Sequence, residues 1–221
     1  LTAMSFLPFG SQNRIDMGIN KKGFTLLEMV VVLAIFSLLS LAIAWILINS
    51  LRSNTTAWDQ LQAENDAGKT LKDIVNEARR AESSDIGAYA LSTTTAYELA
   101  FYANIDNDSF KELVRFKLVG TDLTKGITKP SGNPLDYLPA TESVTTIARD
   151  VVNIGRGDPL FYYYDKNYNG TQAALTEPIN ITEVRMVKVR IEIDRNPAKS
   201  PIILTAESMT QIRSLGAGIT R

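Results

Sequence analysis

The 221-residue chain contains no cysteine and no histidine. That removes disulfide staples, thiol nucleophiles, imidazole bases and the commonest zinc and haem ligands, and with them most enzyme chemistry. Catalysis would have to rest on Asp, Glu, Ser or Lys alone, and no convincing catalytic grouping of these stands out, so the chain reads as a non-enzyme. A surplus of charge is missing too. The 23 basic and 24 acidic side chains leave a formal net charge of −1, without the basic footprint that nucleic acid demands. Proline is absent between Phe24 and Pro130, so nothing in that stretch forbids a long helix. What the chain does have is apolar residues, 45% of the total, enough for one membrane helix and one globular domain of ordinary size.

Residues 29–48 read M-V-V-V-L-A-I-F-S-L-L-S-L-A-I-A-W-I-L-I, with only Ser37 and Ser40 polar and no charge. At about 1.5 Å per residue this run crosses the roughly 30 Å hydrocarbon core of a bilayer. Arg14, Lys21 and Lys22 precede it and only Arg52 closely follows. The positive-inside bias therefore puts the N-terminus in the cytoplasm and the residues after about Asn49 outside. A cleaved signal peptide is one reading, since Ala42-Ile43-Ala44 offers an A-x-A-like site, but the apolar run continues through Ile48, past the point where a signal core ends. A plain signal anchor explains the length and the lysines but not Glu28, because a carboxylate at the edge of a membrane helix asks for a partner or a function.

The segment Lys21-Lys22-Gly23-Phe24-Thr25-Leu26-Leu27-Glu28-Met29 resembles the cleavage and methylation motif of type IV prepilins and type II secretion pseudopilins. In that family a basic leader ends in glycine, the first mature residue is an N-methylated phenylalanine or methionine, and the fifth is glutamate. The resemblance implies cleavage between Gly23 and Phe24 by a prepilin peptidase, N-methylation of Phe24, and an assembly role for Glu28, whose carboxylate would meet the new α-amino group of Phe24 on a neighbouring subunit. Glycine lets extended backbone approach the peptidase closely, and Lys21 and Lys22 hold the bond at the cytoplasmic face. Translation from Met17 would give a compact leader of residues 17–23, with residues 1–16 untranslated.

Downstream, Trp58, Leu61, Leu71, Ile74, Val75 and Ala78 recur at spacings near three and four, with charged residues between them, which predicts an amphipathic helix continuous with the anchor and reaching about Ala81. After about Ser83 the period changes to two. Residues 97–102, 113–119 and 184–193 read as half-buried strands, and residues 202–213 pair with the last of these as a terminal hairpin. Residues 120–143, rich in glycine and proline, read as an exposed excursion. The expected organisation is a leader at 1–23, a transmembrane helix at 24–49, the amphipathic half of the long helix at 50–83, and an exported β-rich domain at 84–221. The fold class is α+β, with the long helix packed on an antiparallel sheet in the manner of a pilin.

Phe161-Tyr-Tyr-Tyr-Asp165, the strand ending at Ile193 and the closing Met209-Thr-Gln-Ile-Arg213 are similar to the C-terminal half of J-type minor pseudopilins and their W-type minor pilin relatives, a group thought to sit near the filament tip. In the aromatic run, strand alternation would bury two of the four rings. Asp165, Asn167, Asn169 and Gly170 match the first half of a calcium loop, but the twelfth position is Thr176 and the acid, Glu177, comes one residue late. A turn favoured by Asp, Asn and Gly is the preferred reading, with calcium as the alternative. Asp106-Asn107-Asp108 likewise reads as a turn. No cofactor is expected otherwise. The expected partners are the prepilin peptidase, other pilin or pseudopilin subunits, the inner-membrane assembly platform and membrane lipid, with no nucleic acid. The rival is a membrane-anchored binding or adhesion protein that never polymerises.

Overall fold

The computed structural model describes residues 23–195 and 203–216. The leader before Gly23, including Lys21, Lys22 and the Met17 start, lies outside the described residues, as do residues 196–202 and 217–221. The chain divides after Arg52 into two compact units. A 54-residue helix, α1, runs from Leu26 to Arg79. Its first part, Leu26–Leu51, is long and apolar enough to cross a membrane. Large hydrophobic side chains, from Leu26 and Leu27 to Ile48 and Leu51, are exposed around it. A helix that is apolar all round is built for lipid or for a bundle, and water is the wrong solvent for it.

From Ser53 onward the fold is α+β. Ala63, Ala67, Thr70, Leu71, Ile74, Val75 and Ala78 form the buried face of α1. Trp58 and Leu61, expected on that face, are 65% and 52% exposed. Helical phase explains the correction. At about 100° per residue, Trp58 and Leu61 lie roughly 160° and 140° away from Ile74, on the far side of the helix.

One expected sheet resolves into two. The first is an antiparallel meander of β1 (Leu91–Thr94), β2 (Glu98–Ala103), β3 (Glu112–Val119), β4 (Asp122–Thr128) and β5 (Ser143–Ala148), in that spatial order. The second contains β6 (Phe161–Tyr164), β7 (Met186–Ile193) and β8 (Leu204–Gln211), also in sequence order. The β7–β8 ladder runs from Met186 opposite Gln211 to Ile193 opposite Leu204, which is the expected terminal hairpin. Buried residues of α1 and of both sheets form one hydrophobic cluster. The sheets are tied where the Leu160 amide bonds the Ala96 carbonyl at 2.8 Å and the buried Tyr163 hydroxyl donates to the Thr95 and Glu98 carbonyls at 3.0 Å each.

The excursion expected over 120–143 is only half an excursion. Residues 122–128 form β4, in the interior of the first sheet, joined to β3 by a tight turn in which Gly120 takes φ 62°. Gly126 looked like loop punctuation, yet it has a packing reason: a Cβ there would overlap the Glu142 carboxylate, which lies over Gly126 to pair with Arg115. In the aromatic strand three rings are buried instead of two. Tyr164 is covered because Tyr168 packs on it with ring centroids 4.2 Å apart, while Tyr162 stays half-exposed beneath the Lys188 ammonium.

Candidate processing and assembly site

The junction between Gly23 and Phe24 lies in exposed, non-helical backbone just ahead of α1. A Cβ placed on Gly23 would meet no atom within 4 Å. Thr25 then starts the helix. Its hydroxyl accepts the Glu28 amide at 3.2 Å and its carbonyl accepts the Met29 amide at 3.2 Å. Thr25 and Glu28 thus stand at the spacing of a capping box, with the acid in the first turn, where the helix dipole favours it.

Glu28 is exposed and is the sole ionisable side chain between Phe24 and Leu51. The rest of the segment carries little that lipid would penalise. Ser37, for example, satisfies its hydroxyl by donating to the Leu33 carbonyl at 2.7 Å. The arrangement puts one exposed glycine bond, one negative charge and one apolar rod in close succession.

The calcium candidates are engaged locally. Asp165 accepts the Asn167 amide at 2.9 Å with one oxygen and the Asn167 side-chain amide at 2.8 Å with the other. The Asn169 oxygen accepts the Thr171 hydroxyl at 2.8 Å, and Gly170 takes φ 105°. These are the bonds of an Asx-type turn. Glu177 turns elsewhere and caps the Ala96 amide at 2.5 Å.

The sequence reading took Asp106-Asn107-Asp108 for a turn and did not connect it with Glu112. Asp106, Asp108 and Glu112 offer oxygens within 4.8 Å of one another. Hydrogen bonds from the Lys129 ammonium hold the Asp106 and Asp108 carboxyls below the usual range, and the same bonds raise the lysine. The signal was available in phase: Glu112 falls on the same alternate row of β3 as Val114, Phe116 and Leu118, all of which face inward.

A family model described as the prokaryotic N-terminal methylation motif matches residues 19–44. No curated protein matches the sequence. The matched stretch spans the open glycine bond, the capped helix start, Glu28 and most of the apolar rod, so the chain carries the signature of type IV pilin and pseudopilin precursors on an α+β fold.

Proposed function

We propose that the chain is a structural subunit of a type IV pilus-like or type II secretion pseudopilus filament, made as a precursor and processed after Gly23. The observation that carries this reading is the succession of an exposed Gly23–Phe24 bond, a first-turn Glu28 and a helix with apolar side chains exposed around its surface. Hydrolysis of that bond leaves a carboxylate on Gly23 and a new amine on Phe24, which a methyltransferase activity then methylates. The leader remains cytoplasmic, the anchor spans the inner membrane once, and the residues beyond it are exported.

Charge and length support the assembly step. The 26 apolar-segment residues of α1 measure about 39 Å, some 9 Å more than the hydrocarbon core, so Glu28 can stay at the headgroups in a free precursor. Extraction into a filament core removes that refuge. A carboxylate in an apolar interior costs on the order of 2.5–3.5 kcal/mol even on lenient membrane scales. An ammonium from Phe24 of the neighbouring subunit offsets this, which makes register between subunits a matter of charge pairing. A minor position at or near the tip is supported by the similarity of the C-terminal half to J-type and W-type subunits and by a membrane segment without proline. The partners on this reading are the prepilin peptidase, sibling subunits and the membrane assembly platform.

Mass spectrometry of the mature N-terminus tests it. Methylated Phe24 as the first residue is expected in peptidase-positive cells, and an intact Lys22-Gly23-Phe24 sequence there would refute the proposal in favour of an unprocessed anchor protein.

A further inference from the structure

The β2–β3 connection is closed by the pairing of Ala103 with Glu112, so residues 104–111 form a loop that folds back over the start of β3. Asp106 and Asp108 project from this loop and converge on Glu112. Lys129, just past the end of β4, reaches in. Its ammonium lies 2.9 Å from Asp108, bonds Asp106 as well, and stays 3.7 Å from Glu112. Three carboxylates thus face one ammonium. The other nearby cations are engaged otherwise: Arg80 donates to the Asn104 carbonyl and the Asn107 side chain, and Lys111 pairs with Glu82 and Asp85.

Glu112 supplies the independent observation. Its side chain is 0% exposed, one oxygen accepts the Ile105 amide at 3.0 Å, and the other, aimed into the cluster, has no hydrogen-bond partner. The 3.7 Å to Lys129 is beyond hydrogen-bond reach. A lysine with one short ammonium satisfies the two exposed aspartates and leaves the buried acid short. The Asn104 side-chain oxygen on the same loop is likewise buried and unbonded, while its amide nitrogen holds the Asp108 carbonyl at 2.6 Å. Buried oxygens without donors are costly, and the one that Glu112 aims into the cluster calls for a cation.

We propose that this loop binds a divalent cation of the calcium class through Asp106, Asp108 and Glu112, with Lys129 as the charge that it displaces. The donors are hard oxygens only, which selects calcium or magnesium over thiophilic or imidazole-seeking metals. A loop with flexible, partly exposed aspartates suits the larger, geometrically tolerant ion. Lys129 is 54% exposed on a long stem and is free to swing into solvent when the ion arrives. Binding then fastens the β2–β3 loop to the first residue of β3. The affinity belongs to the weak range of extracellular modules, about 10⁻⁴–10⁻³ M. This proposal does not depend on filament assembly.

The test uses the full chain in detergent, stripped with EDTA, then titrated calorimetrically with calcium chloride and melted with calcium or magnesium. Saturable calcium binding is expected, with a melting rise of about 3–5 °C at calcium ten times the dissociation constant and a smaller effect of magnesium. Asp108→Asn, an exposed substitution that leaves the fold intact, should abolish the response. Lys129→Gln removes the competing ammonium and should tighten calcium binding by about tenfold or more. If the cluster is only a counter-ion network for Lys129, Lys129→Gln destabilises the protein and calcium does not restore it. Absence of saturable heat up to about 5 mM calcium in both wild type and Lys129→Gln, or binding unchanged in Asp108→Asn, overturns the proposal.

Discussion

Two substitutions on one helix test how α1 is seated. Ile74 is fully buried against the sheets, whereas Trp58, sixteen residues earlier, is 65% exposed. Ile74→Ala removes three carbon atoms from a packed interior, a class of change that costs about 2–5 kcal/mol, less the few tenths regained from alanine's better helix propensity. For a folded unit of this size each kcal/mol moves the melting temperature by about 2–4 °C, so a fall of roughly 3–18 °C is expected. Trp58→Ala deletes a much larger side chain, yet its cost should stay within about 0.5 kcal/mol because little of the ring is covered. Thermal unfolding of both variants in detergent, followed by circular dichroism, gives the comparison. If Trp58→Ala destabilises as much as Ile74→Ala, the helix face is wrong by nearly half a turn and the core described above is not the real one.

Four other outcomes follow from particular contacts. Gly23→Ala should block removal of the leader while leaving the melting temperature unchanged, since the added methyl meets nothing; the mass of the N-terminal peptide and a melt measure the two halves. Glu28→Gln should insert into membranes normally but incorporate poorly into filaments, as read by the ratio of sheared to membrane-bound protein. Asn153→Ala should cost about 2–3 kcal/mol in denaturant unfolding, because the buried amide donates to the Arg190 carbonyl and accepts the Glu192 amide, both at 2.9 Å. At alkaline pH, burial pushes Tyr137 up to about 12 and holds Tyr163 well above the ordinary phenol value. The unfolded chain releases these protons near pH 10 and the folded chain holds them, so stability should be level below about pH 10 and fall as pH rises through the folded values. Tyr163→Phe should flatten part of that fall, and equal phenolate titration of folded and unfolded protein would contradict it.

The fold was legible where a single period ran uninterrupted. β3 alternates over eight residues and β7 over its first six, and both were read within two residues of their observed ends. β4 was missed because Gly126 and its threonines imitate a loop; only the Glu142 side chain, arriving from another segment, shows why glycine belongs in the interior of a sheet. The amphipathic stripe failed for a different reason. Spacings of three and four each look helical, but their errors accumulate, and across the gap from Leu61 to Leu71 the phase slips to the other face. The alanines that do face the core, Ala63 and Ala67, were invisible to a search for large apolar residues, although small side chains are what close approach of a helix to a sheet requires.

The charged groups divide along the same line between local and non-local information. Gly23, Phe24, Thr25 and Glu28 lie within one short stretch of chain, so their spacing alone carries the motif and the capping of the helix start adds a physical reason for it. The group around Glu112 is assembled by strand register: Ala103 must pair with Glu112, and Leu113 with Thr128, before Asp106, Asp108 and Lys129 can meet. No spacing in the chain announces that meeting. Parity does, once the strand is begun one residue earlier, because Glu112 then occupies an inward row among Val114 and Phe116. A carboxylate in such a row is never neutral to the fold. One oxygen of Glu112 is left without a hydrogen-bond donor, and the aspartates gathered in front of it make a cation the partner that this loop is built to admit.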